Sequence, residues 1–229
     1  MTTTLITGAN RGLGLGFANH YLEQGGRVVA ATRNRAGSAA LDDLRSRYGD
    51  RLEAIELDIA REASIKGLAT ALTGFAFDLV INNAGTLTDE AFGKWTAATF
   101  AQTFAVNTTG PALLAQALLP LMKPGSKLVN ISSGLGSCGL RIDPETGLDA
   151  YAASKAALNM LTARLAAKLE EREITVVACD PGWVRTRMGG PEAELTVDQS
   201  VGAITAMIDT LTPADSGRFL SRHGEDLPW

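Results

Sequence analysis

Short apolar runs alternate with stretches of helical periodicity along the whole chain. Residues 3–6, 27–32, 52–56, 79–82, 127–132 and 174–179 are brief runs rich in Val, Ile and Leu, and they read as buried strands. Between and after them, residues 15–23, 38–48, 64–72, 96–122, 150–171 and 197–211 carry apolar side chains at three- and four-residue spacing, the mark of helices packed by one face. A weak strand at 218–220 closes the pattern. Strand and helix alternating in this way predict an α/β fold, a parallel sheet covered by helices on both faces. Neither a linker nor an internal repeat interrupts it, so residues 1–229 form one domain.

Composition narrows the picture. With 229 residues, 45% of them hydrophobic, the chain can bury a sizeable core. A net charge of −4 counts against a nucleic-acid or anionic-membrane surface. No apolar run approaches the ~18 residues of a membrane span, and the first strand leaves no room for a signal peptide, so a cytoplasmic location is expected. Cys138 and Cys179 are the only cysteines and lie far apart, which argues against a disulfide framework and against a metal site.

Chemistry enters at the first turn. The strand at 3–6 runs into Thr7-Gly8-Ala9-Asn10-Arg11-Gly12-Leu13-Gly14 and then into a helix. Glycine is wanted there because the backbone must turn tightly, approach a pyrophosphate without a Cβ in the way, and present the free N–H groups of a helix N-terminus. The spacing Gly-x-x-x-Gly-x-Gly differs from Gly-x-Gly-x-x-Gly, and a plain α/β turn is the alternative. After the second strand the chain reads Ala31-Thr32-Arg33-Asn34-Arg35, with no carboxylate to repel a ribose 2′-phosphate. Arg33 can offer it a planar fork and Arg11 a second positive charge, unless both are solvated surface residues, so NADP(H) is expected over NAD(H). Asp58 and Ile59 follow the third strand, placed either to meet an adenine or, for Asp58, to cap a helix. Asn82-Asn83-Ala84-Gly85 ends the fourth strand in a turn that lets a ligand pass close to the backbone. Asn107, followed by Gly110 and Pro111, marks a disturbed helical ladder that can hold a water.

Two further features converge. Ser132-Ser133 ends the fifth strand, and Tyr151-Ala152-Ala153-Ser154-Lys155 opens a helix on which positions four apart share a face. A tyrosine titrates near ~10, and bringing it towards ~7 requires roughly 4 kcal/mol of phenolate stabilisation, which a neighbouring lysine and an oxidised nicotinamide can supply. Tyr151 is then a candidate general acid/base.

Taken together, Thr7 to Gly14, Asn82 to Gly85, Asn107, Ser133, Tyr151, Lys155, and Pro181-Gly182 with Thr186 resemble the short-chain dehydrogenase/reductase family in order and approximate spacing. The finer likeness is to its carbonyl-reductase branch, which includes C-factor and sniffer-like members. The resemblance implies a single-domain doubly wound Rossmann fold with a mostly parallel seven-stranded sheet in the order 3-2-1-4-5-6-7. It implies NADPH-dependent reduction of an aldehyde or ketone, with Ser133 orienting the substrate oxygen, Tyr151 as acid/base, Lys155 on the nicotinamide ribose, and Asn107 keeping a water beside that lysine. Gly8, Asn10, Arg11, Gly12, Leu13, Gly14, Arg33, Asp58, Ile59, Asn83, Ala84, Gly85, Pro181, Gly182, Val184 and Thr186 are the implied cofactor contacts, with Tyr151 and Lys155. Alternatives are an alcohol dehydrogenase working oxidatively, or an NADP(H)-binding signalling protein of the C-factor type. Family members commonly pair through the long helices, so a homodimer or homotetramer is expected. The stretch between Ser133 and Tyr151 is longer than usual and is expected to shape the substrate entrance, whereas residues 188–194 leave little room for a lid.

Overall fold

In a computed structural model describing residues 1–229, the strands β1 (Thr3–Thr7), β2 (Arg27–Thr32), β3 (Leu52–Glu56), β4 (Phe77–Asn82), β5 (Met122–Ile131), β6 (Thr175–Asp180) and β7 (Phe219–Ser221) form one sheet. Their order is β3-β2-β1-β4-β5-β6-β7. Every pairing is parallel, so the sheet is wholly rather than mostly parallel. The seven longer helices are α1 (Gly12–Glu23), α2 (Ala39–Tyr48), α3 (Glu62–Ala71), α4 (Ala97–Phe104), α5 (Gly110–Leu118), α6 (Asp149–Leu169) and α7 (Val197–Thr210).

Alternation along the strands divides the core. Ile6 of β1 faces one apolar layer with Phe17 and Leu22 of α1, Leu44 of α2 and Ile204 of α7. Its neighbour Leu5 faces the other, with Ile65 of α3, Leu114 of α5 and Leu169 of α6. Both faces are thus dry, which is why the central strands read as continuous apolar runs. Truncating a side chain such as Phe17, which is fully buried, would cost about 3–5 kcal/mol.

The chain reverses its direction of progress across the sheet at β1, which pairs with β2 on one side and β4 on the other. A crevice opens beyond the carboxyl ends of the strands at such a point.

One expected element is different. The helix foreseen over residues 96–122 is broken: α4 passes into a π turn at Ala105–Thr109, α5 follows, and a short 3-10 turn at Leu119–Leu121 leads into β5. The ladder slips because Gly110 N–H reaches back to Ala105 O while Pro111, beside it, has no N–H to give. Gly110 also lies so close to β3's exit that a Cβ would sit 2.5 Å from Ile59 O. Pro120 then stops the helix, and β5 begins at Met122, earlier than the apolar run alone indicates.

Candidate active site

The turn after β1 is built around missing side chains. Gly8 and Gly12 have φ of +66° and +53°, the left-handed region that glycine enters without strain. A Cβ on Gly14 would collide with Gly8 O and lie 2.5 Å from Asn83 Nδ2. Asn83 clips the end of β4 to this turn: its Nδ2 donates to Thr7 O at 2.8 Å, and the backbone N–H groups of Asn83 and Ala84 both donate to Thr7 Oγ1. Arg11, at the N-cap of α1, is extended and gives no side-chain cap, and no acid stands in the first turn. The first N–H groups of α1 are therefore available to an anion, and the cradle fits a pyrophosphate. Leu13 directs its side chain into the core, leaving only its backbone to the turn.

Arg11, Arg33 and Arg35 are exposed, and none belongs to an ion pair. Asn34 Oδ1 accepts from Gly37 N at 3.2 Å and shapes the loop that carries Arg33. Past β3, Asp58 caps no helix, since the N-cap of α3 is Arg61; its Oδ1 accepts from Ala60 N at 3.1 Å. Ile59 is buried in the core beneath.

The structure brings Ser133, Tyr151, Lys155 and Asn107 together. Ser132 turns inward, its Oγ donating to Asn159 Oδ1 at 2.5 Å, whereas Ser133 stays part-exposed beside the Tyr151 phenol. Lys155, only 4% exposed, donates from Nζ to Ile131 O at 2.7 Å, and the same Nζ lies 5.6 Å from the centre of the Tyr151 ring. Gly136 allows this packing, because a Cβ there would be 2.7 Å from the Lys155 Cβ. Asn107 is fully engaged by protein: Nδ2 donates to Thr86 O (2.8 Å) and Ser154 Oγ (3.0 Å), and Oδ1 accepts from Thr86 N (2.8 Å).

In the ligand-free protein, burial dominates the electrostatics of the site. Burial pushes Tyr151 up to about 12, against a smaller downward pull from Ser133, with the Asp180 carboxylate adding to the rise. Burial pushes Lys155 down to about 8, partly offset by Asp180. In the protein without cofactor, burial therefore keeps the Tyr151 phenol protonated at neutral pH.

After β6, residues 181–186 form a strap. Arg185 N donates to Leu195 O and Leu195 N to Trp183 O, closing the base of the loop. Thr186 Oγ1 accepts from Gly189 N at 3.1 Å, and Thr186 Cγ2 lies 3.3 Å from where a Gly12 Cβ would stand. Val184 is buried, and Gly182 has φ of +74°. The strap therefore reaches back across the crevice to the glycine turn. Asp180, which ends β6, is a member of this site that pattern reading passed over; its signal was an acid closing an apolar strand at the ligand edge.

Apolar side chains rim the opening. Ile142 Cδ1 and Leu140 Cδ1 lie 2.8 and 3.7 Å from the Cβ position of Gly134, next to Ser133. Across from them, Met188 Cε lies 3.9 Å from the Cβ position of Gly85, as does Lys155 Nζ. Leu140, Ile142 and Met188 are 39%, 42% and 45% exposed. Arg141 and Asp143, flanking Ile142, adopt φ of +50° and +45°, costing about 1–2 kcal/mol each, so the loop holds Ile142 in place at some expense. Gly147 O accepts from Glu90 N at 2.8 Å, tying this loop to the one after β4.

Comparison with known proteins agrees with this geometry. The short chain dehydrogenase family model matches residues 2–195. C-signal of Myxococcus xanthus is 36% identical over 173 residues, 72% of this chain and 100% of that protein. The NADPH-bound carbonyl reductase from chicken fatty liver superposes with a TM-score of 0.93 at 35% identity, covering 100% of this chain and 99% of that one. Carbonyl reductase Sniffer of D. melanogaster gives 0.92 at 31% identity, with 100% of both chains covered.

Proposed function

The chain belongs to the short-chain dehydrogenase family, and from that premise we propose that it is an NADP(H)-dependent carbonyl reductase for aldehydes or ketones with apolar substituents. The observation that carries this reading is the meeting of Ser133, Tyr151 and Lys155 at the mouth of a glycine cradle whose second strand ends without a carboxylate. The chicken neighbour, bound to NADPH, supports the choice of cofactor.

Gly8, Gly12 and Gly14 leave room for a pyrophosphate on the first turn of α1, Arg11 and Arg33 face its 2′-phosphate end, and Asp58 and Ala84 border the adenosine side. The strap from Pro181 to Thr186 meets the nicotinamide end, where Lys155 binds the ribose. When bound, NADPH supplies the hydride that the carbonyl carbon takes up. Ser133 donates a hydrogen bond to the carbonyl oxygen, and Tyr151 transfers its proton to that oxygen as charge builds on it. A phenol held protonated by burial can serve as the proton donor that carbonyl reduction requires. The apolar rim of Leu140, Ile142 and Met188 disfavours charged substrates, whose desolvation it could not repay.

The likeness to C-signal supports a second reading, a signalling protein that binds the same nucleotide. No helix is long and apolar enough to cross a membrane, and two free thiols suit a reducing cytoplasmic compartment. Met160, 62% exposed on α6, marks the face through which a homodimer would form.

Calorimetric titration with NADPH and NADH, beside an absorbance assay over a panel of apolar and charged carbonyls, tests the proposal. NADPH preference with turnover of apolar members is expected. Tight NADPH binding with no turnover would favour the signalling reading.

A further inference from the structure

A carboxylate with no assigned part in the reaction sits at the centre of the site. Asp180 is the last residue of β6, next to the strand that delivers Ser132 and Ser133. Its Oδ1 accepts from Gly134 N at 3.0 Å, the N–H directly after Ser133. The Gly182 N–H, inside the strap, also faces the carboxylate and stabilises its charge. Lys155 and Tyr151 on α6, Cys179 beside it on β6, and Arg222 beyond β7 are the ionisable groups that feel its charge. Arg222 packs on the strap as well, with Nη1 2.9 Å from the Cβ position of Gly182.

We infer that Asp180 is a positioning residue for the carbonyl reduction proposed above, one carboxylate that clamps the Ser133 turn to the 181–186 strap and presents a negative charge to Tyr151 and Lys155. The inference rests on that functional reading for its kinetic consequences, but the clamp itself does not.

Two N–H groups face Asp180 just beyond the last ladder bond between β5 and β6, Ser132 N to Cys179 O, one from the turn after β5 and one from the strap after β6. The turn carries the hydroxyl that orients the substrate; the strap carries the wall expected to meet the nicotinamide. An ionised carboxylate is acceptor-only and can serve both donors, whereas an amide can turn its oxygen to one and must turn its NH₂ towards the other. Its charge works in a second way. A fixed anion near Tyr151 disfavours the phenolate and so preserves the proton that reduction consumes, and near Lys155 it favours the ammonium. Burial raises the Asp180 carboxyl above its ordinary value, and the two N–H groups, Arg222 and Lys155 hold back that rise.

The test compares wild type, Asp180→Asn and Asp180→Ala in carbonyl reduction from pH 6 to 10, and in amide hydrogen exchange of the ligand-free proteins. In Asp180→Asn, kcat should fall by about ten- to a hundredfold, as expected for misplacement of reacting groups. The basic limb of its kcat/KM profile should move to lower pH by about one unit, because without the nearby negative charge the Lys155 ammonium, at about 8 in wild type, releases its proton earlier. Exchange at Gly134 and Gly182 should accelerate while the central strands stay protected. Asp180→Ala should show the same acidic shift with a larger loss of kcat. An unchanged pH profile in Asp180→Asn, with kcat near wild type, overturns the proposal, and so does unaltered exchange at both glycines. If wild type reduces no carbonyl, the functional reading falls, while the exchange result still decides whether Asp180 is the clamp. Should Asp180→Ala fail to fold, Asp180→Asn, which keeps shape and removes charge, carries the decision.

Discussion

Replacing Lys155 with Met should remove a built-in instability, and the effect should depend on pH in a defined direction. Burial lowers the lysine from 10.5 to about 8. At pH 7 the ammonium inside the fold therefore carries a penalty of about 3 kcal/mol relative to the unfolded chain. The bond from Nζ to Ile131 O, 2.7 Å long, offsets part of what Met would gain, because an unpaired carbonyl costs about 1–3 kcal/mol. The variant should accordingly match wild type or exceed it by up to ~2 kcal/mol at pH 7. The sharper consequence lies in the pH dependence. Between about pH 8 and 10.5 the unfolded lysine holds a proton that the folded one has released, so wild-type stability rises with pH through that window. By pH 9.5 the penalty falls to about 1.4 kcal/mol, and wild type should gain about 2 kcal/mol on Lys155→Met. Urea denaturation of both proteins without cofactor at pH 7 and 9.5 measures this difference, in which the other titrating groups cancel. A difference that stays constant over that range, or moves the other way, refutes the reasoning. Turnover of Lys155→Met should be lost throughout.

Other expectations concern affinity and specificity. Arg33→Ala should weaken NADPH binding about tenfold or more while leaving NADH little changed, since a charge-assisted contact to phosphate contributes about 1.5–3 kcal/mol; calorimetry reads both, and equal losses would show that Arg33 does not face the 2′-phosphate. Ile142→Asp should lower kcat/KM for apolar ketones by about tenfold or more, through the cost of bringing an apolar group against a carboxylate, with NADPH affinity unaltered. A matching loss for charged and apolar substrates would remove Ile142 from the entrance.

Much of the fold was legible because its signals are local. Apolar runs such as 27–32 and the glycines at 8, 12 and 14 report backbone demands that no distant residue can supply. The strand order came from family resemblance and not from the apolar pattern, and it stands as expected. The misread helix over 96–122 shows where locality fails. Ala, Leu and Gln continue the helical pattern through Gly110, and only the approach of Ile59 O, a residue from a different crossover, makes a glycine and a slipped ladder necessary there. Asp180 escaped notice for a similar reason: its two donors, on Gly134 and Gly182, meet only after β5 and β6 lie side by side. The Tyr151–Lys155 pairing could be foreseen from helix geometry, but the depth of its burial could not, since burial is a property of the assembled site.

The central claim is that Tyr151 delivers the proton to a carbonyl reduced with NADPH, and the direct measurement is the pH 7 turnover of Tyr151→Phe against wild type, with NADPH affinity measured in parallel. The structure, which holds the phenol protonated beside Ser133 and Lys155, predicts a fall in kcat of about 10²–10⁴ with cofactor binding nearly intact. Turnover equal to wild type in Tyr151→Phe would contradict it.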